Sequence, residues 1–142
     1  MSEIFSGLKI GFAMTGSFCT FSKCFEQAEL LKNMGAEIIP IMSENASGTS
    51  TRFGTADENI KKLSEIAGKD IITSIIDAEP IGPKNMTDIM VVAPCTSNTA
   101  SKLANSITDT SVIMNCHKII YKITLCNNKF TVFISVQPVF LF

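Results

Sequence analysis

The sequence predicts an α/β fold: a mostly parallel sheet with helices on both faces. Apolar runs short and β-branched enough for buried strands occur at Leu8–Met14, Ala36–Met42, Ile71–Ile76 and Ile89–Ala93. Between them, apolar residues recur at helical spacing, and strand–helix alternation implies parallel pairing through right-handed crossovers. A length of 142 residues fits one domain, 1–142, large enough to bury a core.

Each element has local support. Thr15-Gly16-Ser17 breaks the first strand, because glycine favours a tight turn and hydroxyls favour caps. Phe21, Cys24, Phe25, Ala28 and Leu31 then mark a helix that Gly35 ends. Pro40 places the second strand near an edge of the sheet. Ser43–Thr55 reads as a long polar loop of the kind that is often functional. Thr55 and Glu58 form a capping-box pair opening a helix with Ile60, Leu63 and Ala67 inward, stopped by Gly68. Ile71–Ile76 counts as a third strand, and Pro80-Ile81-Gly82-Pro83 can be neither regular helix nor strand. The Ile89 strand stops at Pro94. A helix with Leu103, Ala104 and Ile107 follows Asn98, and Val112–Met114 reads as a fifth short strand.

Composition narrows the function classes. With 46% apolar and 18% charged residues the chain is globular, and a net charge of −1 without a basic stripe argues against nucleic acid. The five cysteines form an odd set without CxxC pairs, which suits free thiols in a reducing cytosol. His117 is the only histidine and has no ligand spacing around it, so no metal site is expected. Phe130–Phe142, FTVFISVQPVFLF, is too short for a membrane span and predicts a sticky apolar edge.

Two strand-to-helix turns are chemically loaded. In a doubly wound sheet, ligands bind beyond the carboxyl ends of strands where strand order reverses. A strand order of 3-2-1-4-5 would make the first and fourth strands neighbours. Thr15, Gly16 and Ser17 would then face Pro94, Cys95, Thr96, Ser97, Asn98 and Thr99 across one crevice. Hydroxyls and backbone N–H groups there suit an anionic ligand such as a flavin phosphate. Each half also reads as a turn with a helix cap. Cys95 is either a thiol activated by the helix start or a small packed residue. Arg52, beside Phe53-Gly54, is either a bidentate carboxylate clamp or a solvated loop arginine.

The pairing of LKIGFAMTGSFCTF with AEPIGPKNMTDIMVVAPCTSNTASKLANSITDTSV resembles the flavoprotein family that includes flavin-dependent cysteine decarboxylases and flavin prenyltransferases. Within it, TRFG at Thr51–Gly54 and AEPIGP at Ala78–Pro83 resemble the dipicolinate synthase B-subunit branch, over about Leu8–Lys118. The resemblance implies a Rossmann-like flavoprotein fold, an FMN-type cofactor, and a cytoplasmic oxidoreductase subunit of an oligomeric complex in sporulating bacteria. It implies an A-subunit partner carrying NADP, consistent with the lack of a GxGxxG here, and a small dicarboxylate substrate. It also carries Asn98 over as the residue nearest the chemistry.

Two departures matter. The decarboxylases of the family carry a histidine before the strand leading to the PCTSNT-like motif; here that place is Glu79-Pro80. After Lys118 the match fades, and 119–142 reads as a divergent apolar tail of a truncated or frame-shifted end. An incomplete C-terminal part predicts a poorly stable isolated chain. The alternatives are a stand-alone FMN-dependent lyase or prenyltransferase, and a non-catalytic binding or scaffolding subunit.

Overall fold

A computed structural model of the chain describes residues 4–116 and 132–136. Four strands, β1 (Lys9–Met14), β2 (Glu37–Met42), β3 (Ile89–Cys95) and β4 (Val132–Val136), form one sheet in the order β2-β1-β3-β4, with every pair parallel. Helices α1 (Phe21–Asn33), α2 (Glu44–Gly48), α3 (Ala56–Ala67), α4 (Ile75–Ala78) and α5 (Ser97–Ala104) connect them, and residues 111–116 are helical. Among the described residues no helix is long and apolar enough to cross a membrane.

The sheet is apolar on both sides, as its near-continuous hydrophobic strands require. On one face Ile10, Phe12 and Met14 pack with Phe21, Phe25 and Ala28 of α1 and Leu63 and Ala67 of α3. On the other, Ala13, Ile41, Met90 and Val92 pack with Ile81, Val112 and Cys116. Side chains of this size contribute about 1.5–3 kcal/mol each when fully buried. Helices therefore cover both faces, and the strands' carboxyl ends are left to carry the site.

Pro40 fits because of which way its nitrogen points. The N–H groups of Glu37 and Ser43 donate toward β1, to Leu8 and Met14 carbonyls, so alternate residues of β2 face outward. Pro40 is one of the outward set, and its missing donor lies on the rim of the sheet. There its carbonyl accepts from Ile72 N–H, while Met42 N–H donates to Ile72 O.

The α3 capping box forms as expected: Thr55 Oγ1 accepts from Glu58 N–H and Glu58 accepts from Thr55 N–H at 2.9 Å. These bonds hold the Glu58 carboxyl below its ordinary pKa. Gly68 closes the helix at φ 69°, in the left-handed region that glycine adopts without a steric cost.

Several sequence expectations need correction. The Ser43–Thr55 stretch is not all loop, because Ser43 Oγ caps α2 by accepting from Ala46 N–H. Ile71–Ile76 is not a full strand: Ile72 makes a single parallel bridge to Ile41, and Ser74 then caps α4. The β3 strand runs through Pro94 to Cys95, with a cis Ala93–Pro94 peptide, and α5 starts at Ser97 rather than after Asn98. Val112–Met114 is helical, because Thr110 Oγ1 accepts from Ile113 N–H and the buried Ser111 hydroxyl donates to Met42 O. The strand beside β3 is instead Val132–Val136, inside the apolar tail. His117, Cys126 and the remainder of 119–142 lie outside the described residues.

Gly11 pairs across the sheet with Met90, and a Cβ there would overlap the Met90 sulfur. Met90 is fully buried, so its side chain can yield only by repacking against its neighbours. Gly11→Ala is expected to destabilise the fold by about 1–3 kcal/mol through overpacking, measured as a lower urea midpoint.

Candidate functional site

Because β1 and β3 are neighbours, the turns that follow them meet. Thr15, 2% exposed, joins them with three hydrogen bonds. Its N–H and its hydroxyl both donate to Pro94 O, at 3.1 and 2.6 Å, and its Oγ1 accepts from Thr96 N–H at 3.0 Å. Ser17 N–H then donates to Thr15 O, and the Thr20 hydroxyl to Ser17 O, which closes the first turn onto α1.

The second turn is a helix start. Thr96 is the N-cap of α5, and its Oγ1 accepts from Thr99 N–H at 3.2 Å. A helix start leaves four N–H groups without intrahelical partners. Here Thr96 N–H goes to Thr15 and Thr99 N–H goes to Thr96, so the N–H groups of Ser97 and Asn98 are left without a partner among the described residues.

A third wall comes from β2. Ser43 N–H donates to Met14 O and α2 begins at once, so Ser43, Glu44 and Asn45 stand beside the β1 turn. A fourth wall runs from α5 into the 111–116 segment: Lys102 donates to Asp109 at 2.7 Å, and Glu44 accepts from Ser111 N–H at 3.3 Å. Together the walls enclose a cleft of about 540 Å³ at the carboxyl ends of the strands. A wider surface groove of about 690 Å³ lies between α1 and α3, but charged side chains such as Glu29 and Lys62 line it and no strand-end residue does.

Of the residues singled out in the sequence, Thr15, Gly16, Thr96, Asn98 and Thr99 line the cleft. Asn98 is exposed in the first turn of α5. Ser17 is half-buried, Ser97 is exposed, and Pro94 is buried beneath Thr15; none of the three lines the cleft. Cys95 lies with Met90 and Val92 on the far face of the sheet, where the β3–β4 register shifts. Burial raises its thiol pKa, and it raises the neighbouring Cys116 to about 12, so both thiols stay protonated at neutral pH. Arg52 is exposed on the Thr51–Gly54 turn, its guanidinium 4.8 Å from the Phe53 ring centre, and is not among the cleft-lining residues.

Sequence reasoning missed Ser43, Glu44, Asn45, Lys102 and Asp109 as wall residues. A signal existed for the first three, since they follow a strand's carboxyl end. Lys102 shares a helix face with Asn98, four residues earlier. Among the described residues no cluster of three or more His, Cys, Asp or Glu side chains could hold a metal ion.

Residues 2–133 match the flavoprotein family model. The B subunit of dipicolinate synthase from Bacillus subtilis (strain 168) is 46% identical over 123 residues, covering 87% of this chain and 59% of that protein. The crystal structure of the corresponding B subunit from Bacillus halodurans superimposes with a TM-score of 0.72 at 39% identity, covering 84% of this chain and 60% of that one. The chain thus spans about three fifths of the length of these two relatives. Burkholderia xenovorans DmrB, solved in complex with FMN, shares the fold with a TM-score of 0.62 at 20% identity over 89% of this chain and 65% of that one.

Two outcomes follow from the site. Thr15→Val removes one of the two bonds to Pro94 O, which keeps the Thr15 N–H, and leaves the part-buried Thr96 N–H unpaired, so it should cost about 1–3 kcal/mol of stability, while Thr15→Ser retains most of it in a chemical melt. In thiol labelling of the native chain followed by peptide mapping, exposed Cys19 should react before the three other cysteines among the described residues. Cys24, Cys95 and Cys116, all buried, should react only on unfolding.

Proposed function

We propose that this chain, which belongs to the flavoprotein family whose model spans residues 2–133, acts as a dipicolinate synthase B-type subunit, a reading that its 46% identity to the Bacillus subtilis B subunit supports. In this reading it works in the cytoplasm beside a nicotinamide-dependent A subunit that carries NADP. Together they oxidise a dihydrodipicolinate-type precursor to dipicolinate during sporulation. The observation that carries the proposal is the cleft itself, in which the two turns of the resemblance close on one another through Thr15.

The donor set in and beside the cleft fits a flavin mononucleotide. The N–H groups of Asn98, which lines the cleft, and of its neighbour Ser97 are the two helix-start donors left over, and they suit a phosphate. Beside them, a Cβ on Gly16 would meet only Phe18 and Asn45, at 3.7 and 3.8 Å, so the backbone there stays open to close approach. Thr99 and Asn45 add polar groups to the wall. A bound flavin would supply hydride or electron-transfer chemistry; the chain's own residues would hold and orient it and the dicarboxylate. Asn98 is the polar side chain assigned to the reacting end, and Arg52 is assigned to a substrate carboxylate that reaches past the cleft.

A non-catalytic binding role is the second reading. It is favoured by the engagement of both wall carboxylates: Asp109 is paired to Lys102, and Glu44 accepts from Ser111. A stand-alone lyase is disfavoured, because Glu79–Ile81, where family decarboxylases carry their histidine, is a 3-10 turn opening with Glu79 and Pro80.

The test is reconstitution with a purified A subunit, NADP and the precursor, reading dipicolinate by its ultraviolet absorbance and flavin by fluorescence quenching. Dipicolinate should form only with both subunits present. Asn98→Ala should lower its rate by about tenfold or more without moving the melting temperature. Product formation by the A subunit alone at the same rate would remove the catalytic reading. An Asn98→Ala complex of unchanged rate, with the chain still required, would favour the binding role.

A further inference from the structure

The cleft contains a cation that the sheet does not need. Lys102 lies on the same face of α5 as Asn98 and Thr99, and all three line the cleft. Its side chain is 24% exposed, and its ammonium donates to Asp109, which is 52% exposed. The pair spans the connection between α5 and the 111–116 segment, which the Lys102 backbone also holds by accepting from Ile107 N–H. Thr110 and Glu44 secure the next turn independently, by accepting from Ile113 and Ser111 N–H. The connection therefore does not depend on the ion pair alone. An ion pair this exposed contributes little to stability, because water and salt screen it. Its two charges remain free to exchange partners.

We propose that Lys102 is the anion-reading residue of this cleft, held at rest by Asp109, and that a ligand's phosphate or carboxylate competes with Asp109 for it. The proposal rests on the reading of the cleft as a site for an oxyanion-bearing ligand. The swap needs only rotation of the long lysine side chain, since Lys102 is anchored by the helix and Asp109 can turn to solvent. A ligand oxyanion gains a charge-assisted hydrogen bond in a partly enclosed site, and the cost is breaking a screened pair.

The two partners should then affect binding in opposite directions, which a merely structural pair would not do. Calorimetric titrations with FMN, riboflavin and dipicolinate test this on the whole chain. Lys102→Met should weaken FMN and dipicolinate binding by about tenfold and leave riboflavin, which lacks the phosphate, unchanged. Lys102→Arg should bind as the native chain does. Asp109→Asn should tighten the two anions severalfold; if that variant fails to fold, the contrast between Met and Arg at 102 decides. Native anion affinity in Lys102→Met, equal losses with riboflavin, or weaker anion binding in a folded Asp109→Asn chain would each overturn the proposal. Binding of dipicolinate but of neither flavin would remove the flavin assignment and leave Lys102 to be judged on dipicolinate. Binding of none of the three would remove both.

Discussion

The site depends on a single buried hydroxyl. Thr15 is nearly sealed from water, yet it donates to Pro94 O and accepts from Thr96 N–H. Pro94 O has a second donor in the Thr15 N–H, but Thr96 N–H would cost about 1–3 kcal/mol if left unpaired. Their satisfaction fixes the spacing between the β1 and β3 turns, and with it the direction in which α5 leaves the sheet. That direction decides which helix-start donors are consumed and which two, on Ser97 and Asn98, remain.

Sheet packing makes the arrangement possible. The parallel β2-β1-β3 core is apolar on both sides, so helices occupy both faces and polar groups are driven to the strand ends. Gly11 leaves room for the Met90 side chain where β1 and β3 pair, and that pairing runs to Ala13 and Val92, just short of the two turns. Three successive strands deliver Thr15, Ser43 and Thr96 to the same rim, each at the head of a turn. The cleft is thus a product of topology first and of side-chain chemistry second.

The parts that could be read in the sequence were those governed by local rules. The Thr55–Glu58 box, the Gly68 stop and the edge position of Pro40 each follow from a residue's own donors, acceptors and dihedral preferences. The adjacency of the two loaded turns followed from α/β topology. What failed was decided by partners distant in the chain. Val112–Met114 is β-branched and apolar, but Thr110 caps a helix there and Ser111 donates to Met42, 69 residues earlier. Ile71–Ile76 keeps only one bridge because Ser74 begins a helix turn within it. Cys95, left open in the sequence between an activated thiol and a packed residue, packs with Met90 and Val92 past a register shift that strict alternation does not anticipate. Ser43, Glu44 and Asn45 were hidden in a stretch that read as loop, and the Lys102–Asp109 pair forms only once α5 has folded back.

The central claim is that the two turns and α2 form one ligand cleft joined through Thr15. The most direct measurement is an amide-resolved NMR titration of the chain with FMN. The amides of Gly16, Asn45, Ser97 and Asn98 should shift together along one binding curve, while amides of the α1–α3 groove such as Glu29 and Lys62 stay still. Shifts confined to that groove, or two turns that respond with separate affinities, would contradict it.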